Sequence, residues 1–113
     1  MTLTEFSAQL HAGGGAADIW LVYQADPFEQ MQGGRIVLAL QRAFRTRGEA
    51  CAFAEASRNE KRWRQLYVFT VAATAAWAEG TVVAQARFET EFGRPRPLPV
   101  VGVSPKEIVA ALA

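Results

Sequence analysis

At 113 residues, half of them hydrophobic and a fifth charged, the chain is expected to form one domain (1–113) that buries a core without metal or disulfide staples. The lone Cys51 excludes an intramolecular disulfide and the longest nearly apolar run, 66–78, is too short for the roughly 20 residues of a membrane span. The N-terminus lacks the basic and apolar regions of a signal peptide, so a cytoplasmic protein with no membrane partner is expected.

The formal charge of +1 hides an asymmetry: residues 35–64 carry eight basic side chains against three acidic ones, residues 1–34 carry four acids and no Lys or Arg, and residues 65–113 cancel at four each. A basic middle in a nearly neutral chain points to an anionic partner. Two lysines beside ten arginines, a single asparagine and abundant alanine match the bias of GC-rich bacterial or phage genes.

In chain order, Thr2 with Glu5 three residues later is a capping box, which opens a helix over about 3–11 that Gly13-Gly14-Gly15 stops. Ile19-Trp20-Leu21-Val22-Tyr23 is β-branched and aromatic and ends at the turn pair Asp26-Pro27. Arg35 to Gln41 alternates, with Ile36, Leu38 and Leu40 on one face, and is expected to pair with the first strand as a hairpin with a long loop. Thr46 and Glu49 cap a second helix over 47–60. Leu66 to Val71 is apolar on both faces, as in a strand covered twice or buried in an oligomer.

From Ala75 onward Trp77, Thr81, Ala84, Phe88 and Phe92 recur at spacings of three to four, which predicts a long helix ending at Gly93. Arg94 to Pro99 is proline-rich and extended, and Val100 to Val103 suits a short edge strand. Ser104, Pro105 and Glu107 open a last helix over 105–112, with proline at its first position. The order α-β-β-α-β-α-(β)-α implies an α+β fold, a small mainly antiparallel sheet of three to four strands with helices packed on it.

Catalytic groups are scarce. One histidine and one cysteine cannot build an ordinary structural zinc site, so no metal is expected. His11, at a helix end, suits the helix dipole, and Cys51, among alanines and Phe53, suits a small buried hydrophobe. Asp18 and Asp26 would stand about 26 Å apart along an extended strand, far beyond the roughly 5–10 Å of two-carboxylate glycoside chemistry. Gly13-Gly14-Gly15 precedes a strand where a dinucleotide fingerprint would follow one, and no Walker sequence exists, so no cofactor is expected. The helix start at Ser104 and Lys106 is a weak candidate anion site.

The candidate partner-binding residues are Arg42, Arg45, Arg47, Arg58, Lys61, Arg62, Trp63 and Arg64, in two clusters at opposite ends of a helix about 20 Å long. Trp63 between two arginines is placed to stack on an unpaired base or on a partner's arginine. The plainer alternative is a solvated face, with Arg58 to Arg64 serving the helix dipole and Trp63 covering a core edge.

The chain therefore reads as a small non-catalytic binding or regulatory protein that docks an arginine-rich face onto an acidic protein surface, a nucleic acid or a nucleoprotein. The alternative is a phage or mobile-element inhibitor or adaptor of the anti-defence type that blocks a protein by shape, with homodimer formation open. A small-molecule enzyme using Cys51 or the Ser104 helix start ranks last.

Overall fold

The computed structural model describes residues 1–25, 37–93 and 103–112. Along them run α1 (Leu3–Ala12), β1 (Ala16–Ala25), β2 (Leu38–Phe44), α2 (Arg47–Glu60), β3 (Gln65–Thr74), α3 (Ala75–Ala78), β4 (Arg87–Phe92) and α4 (Pro105–Ala111). The four strands form one antiparallel sheet in the order β2-β1-β3-β4, so the α+β fold expected from the sequence is the fold found. The hairpin between the first two strands is also present.

Helix starts follow the sequence at two of three sites. Thr2 accepts a bond from the Glu5 amide at 3.1 Å and Thr46 accepts one from the Glu49 amide at 3.2 Å. Ser104 makes no such side-chain bond, although Pro105 occupies the first turn of α4 as expected. After α1 the chain reverses through Gly14 and Gly15 at φ 95° and 89°, a region that side chains with a Cβ rarely adopt.

Strand alternation then builds two cores. Ile19, Leu21 and Tyr23 of β1 with Tyr67, Phe69 and Val71 of β3 form one face, buried against Phe6 and Leu10 of α1, Trp77 of α3, and Ile108 and Val109 of α4. Val22, Leu66, Val68 and Phe44 form the other, covered by α2 through Ala50 and Ala54. β3 is thus the twice-covered central strand that its apolar pattern predicts.

A bulge aims the first candidate arginine. Tyr23 stands opposite Leu40 while Val22 stands opposite Arg42, so Gln41 is an extra residue in β2. Leu38 and Leu40 consequently pack on the larger core, whereas Arg42 and Phe44 project toward the α2 side. Without that insertion Arg42 would lie opposite Leu21, with its charge pointed into the larger core.

The expected long helix from Ala75 is corrected. It stops after one turn at Ala78, Gly80 takes φ 83°, and the chain returns as β4 on the free edge of β3. Gly93, read as a helix cap, instead follows a strand. The proline-rich segment 94–99 and most of the expected strand at 100–103 lie outside the described residues, as do Asp26-Pro27, Arg35 and Ile36; Val103 is described and is not in a strand.

Candidate partner-binding face

Arg42 leaves the sheet on the α2 side, where its guanidinium lies over the Phe44 ring at 5.7 Å and the Phe53 ring at 5.8 Å. Those two rings are themselves in contact, with centroids 5.4 Å apart. The aromatic pair fixes a cation at the surface without neutralising it. Arg42 is exposed and carries no ion pair among the described residues.

At the other end, α2 has no glycine to turn it. Lys61 leaves in an extended conformation, φ −135° and ψ 102°, which exposes the last helical carbonyls. Two arginines close that end. Arg64 donates from Nη1 to the Ser57 carbonyl at 3.4 Å and lies 3.7 Å from Glu60, and Arg58 donates from Nη1 to the Arg64 carbonyl. The Arg64 amide completes the turn onto the Lys61 carbonyl at 3.0 Å. Arg64 thus bonds the helix end, and Arg58 ties the following turn back onto it.

What their work leaves outside is Lys61, Arg62 and Trp63. All three are exposed, and neither cation is ion-paired among the described residues. Trp63 keeps 53% of its surface in solvent, and the Arg64 guanidinium lies 5.7 Å from its ring centroid. A tight turn therefore presents an indole preceded by two exposed cations, with the Arg64 guanidinium near its ring.

Two other candidates diverge. Arg45 turns to α1, donating to Gln9 at 3.2 Å and lying 5.9 Å from the Phe6 ring. Arg47, at the start of α2, stands 3.9 Å from Glu89, which also accepts a bond from Arg87 at 3.2 Å. A cation at a helix N-terminus opposes the dipole, and Glu89 offsets it. The eight candidates therefore divide: Lys61, Arg62 and Trp63 form one exposed group with Arg58 and Arg64 behind it, Arg42 sits on the flank of α2, Arg45 belongs to the α1 side and Arg47 to the Glu89 side. Ser104 and Lys106 open a helix of only seven residues, Pro105–Ala111, in which Ser104 makes no side-chain cap bond.

One constellation was not foreseen. Ser7 and His11, one turn apart on α1, both bond to the same Glu79 oxygen, at 3.0 and 2.9 Å, beside a groove of about 550 Å³ lined also by Leu3, Thr4, Ala8 and Ala78. The bonds from His11 and then Ser7 hold the Glu79 carboxyl below its ordinary pKa. The four-residue spacing of Ser7 and His11 was visible in the sequence; their partner, 68 positions beyond His11, was not. Ser7 is bonded to the carboxylate and not to His11, so the arrangement pins α1 to the end of α3 instead of activating a hydroxyl.

Tyr23 is buried, and burial pushes its phenol up to about 12, with Glu107 adding to the shift. It stays protonated throughout the neutral range. Among the described residues no group of three or more His, Cys, Asp or Glu converges on a metal position, and no helix is long and apolar enough to cross a membrane. Comparison with known proteins found no matching family model, no similar curated protein and no similar solved structure.

Proposed function

We propose that the protein is a non-catalytic binding module of the cytoplasm that docks the turn after α2 onto an acidic partner. The observation that carries this reading is the exposure of Lys61, Arg62 and Trp63 as one group, neither cation ion-paired among the described residues, on a turn held from behind by Arg58 and Arg64. Exposed tryptophan is uncommon on a protein surface unless it meets something, and arginine and tryptophan are the residues most often found at the energetic centre of interfaces. Because the two arginines behind the turn are tied to carbonyls, the surface is preorganised and little ordering cost remains at binding.

The test is a titration of the full chain with polyanions across ionic strength. K61E/R62E should abolish binding while the circular dichroism spectrum is retained, since neither side chain holds the fold. Binding that is indifferent to salt and to this double reversal would refute the reading.

A second reading, a blocking inhibitor or adaptor, is favoured by one feature. Val82 and Val83 are 50% and 92% exposed in the loop between α3 and β4, an apolar point with no cover among the described residues. A partner held there would be released by V83D and would show little dependence on salt.

A further inference from the structure

We infer that the occupant of the Trp63 turn is single-stranded nucleic acid, with an unpaired base lying on the indole and its neighbouring phosphates against Lys61 and Arg62. The inference rests on the docking role proposed above and names its ligand. Three features separate this occupant from others of negative charge.

The first is the shape of the exposed group. A half-exposed indole offers a flat π surface of which the Arg64 guanidinium occupies only part, and a planar ring is what fills such a surface best. An acidic peptide would satisfy Lys61 and Arg62 yet leave the indole to water. The second is topology. Trp63 stands in a turn three residues past the end of α2 and not on a helix or strand that could enter a groove, and bases inside a duplex already spend their faces on each other. The third is the spacing of charge. Lys61 and Arg62 come immediately before Trp63 in the chain and Arg64, which also lies 3.7 Å from Glu60, comes immediately after it with its guanidinium near the ring, so the indole is set among cations that the phosphates of a strand can meet. The number of cations is small, so the footprint is a few nucleotides and the salt dependence is modest.

The experiment uses the full chain with three probes: a ten-nucleotide oligothymidine, the same length as duplex, and polyglutamate. Of the three tryptophans, Trp77 is buried, Trp20 is partly buried against the smaller core and Trp63 alone is exposed, so a change in emission that W63F abolishes reports on Trp63. The oligothymidine should quench tryptophan emission in the native protein and not in W63F, which keeps a ring for stacking but removes the reporting indole. W63A should weaken binding roughly 5- to 150-fold, the range expected for loss of one base–aromatic stack, whereas W63F should retain most of the affinity. The plot of log affinity against log salt should have a slope of about −1.4 for two contacted phosphates, falling toward zero in K61E/R62E. Duplex and polyglutamate should bind more weakly and leave the emission unchanged.

Salt-sensitive binding that W63A does not weaken, or polyglutamate binding tighter than oligothymidine, would overturn the nucleic-acid assignment while leaving the acidic-partner reading intact. No salt-sensitive binding of any of the three would overturn both.

Discussion

Arg58 and Arg64 tie down the end of α2 where many helices use a C-terminal glycine, Arg64 adding a second donor to the Ser57 carbonyl that the Lys61 amide already meets and Arg58 holding the Arg64 carbonyl of the turn that follows. Hydrogen bonds from a charged donor in a partly buried site contribute about 1.5–3 kcal/mol, so R58A and R64A should each lower the stability measured by urea denaturation by about that amount. R62A, a short step away but exposed and without an ion pair among the described residues, should change it by less than about 0.5 kcal/mol. The contrast separates structural from presented cations within one sequence cluster. Composition made the cluster legible, but the direction of each side chain depends on which carbonyls the helix end and the turn after it present, and no spacing rule states that.

Glu79 is the acidic counterpart of this lesson. Its depressed carboxyl, held by His11 and then Ser7, contributes stability above its unfolded pKa of 4.5, and that contribution is lost as the pH falls through the lower folded value. E79Q should therefore flatten the acid limb of a stability-versus-pH curve below about pH 4.5, while leaving stability at neutral pH less dependent on His11. An unchanged acid limb in E79Q would show that the pin between α1 and α3 has no energetic consequence.

At the scale of elements, the sequence was read correctly where one period was unambiguous and misread where two coincide. A spacing of four fits both a helix of 3.6 residues per turn and a strand of period two, so Phe88 and Phe92 support either assignment. The deciding signals were Gly80, which adopts φ 83° and stops α3, and the strict alternation of Arg87, Glu89 and Glu91 with Phe88, Thr90 and Phe92, which belongs to a strand. A bulge opposite Val68 and Phe69 then places Phe88 against the larger core and Phe92 against the smaller one, so even the two phenylalanines that suggested one helical stripe end on opposite faces. The first hairpin was legible from β propensity alone, but its bulge at Gln41 was not, because the need to keep Arg42 out of the core appears only once β1 is in register. The end of β4 carries its own test. Gly93 holds φ 126°, and a Cβ there would overlap the Gln65 side chain and crowd Arg58. G93A should cost about 1–3 kcal/mol through backbone strain, with the steric conflict adding to it, and the loss should appear in thermal denaturation. A variant as stable as the native chain would mean that the β4 terminus relaxes freely.

On the scale of the whole molecule, the two faces of the sheet are unequal, and this bears on how the binding surface behaves. The larger core draws on three helices and on Phe6, Tyr67, Phe69, Trp77 and Ile108, whereas α2 is seated by two alanines with partial help from Cys51 and Phe53. Burial of apolar area contributes about 25 cal/mol per Å², so a helix seated through methyl groups gains less than one seated through phenylalanine and leucine. α2 should accordingly open before the sheet does, through a sub-global fluctuation of the kind seen by native-state hydrogen exchange. Its amides should exchange faster than those of β1 and β3, whose strands sit at the centre of the sheet. Since the exposed turn is continuous with the end of α2, a ligand on Lys61, Arg62 and Trp63 binds only the closed form and stabilises it by RT ln(1 + [L]/Kd), about 2.7 kcal/mol at a hundredfold excess over Kd. Saturating oligothymidine should therefore slow exchange in α2 and in residues 61–64 selectively, up to the point where global unfolding sets the rate for every element. Equal slowing in all elements from the first addition would place the ligand on the sheet core instead, and faster exchange in α2 would mean that binding unseats the helix.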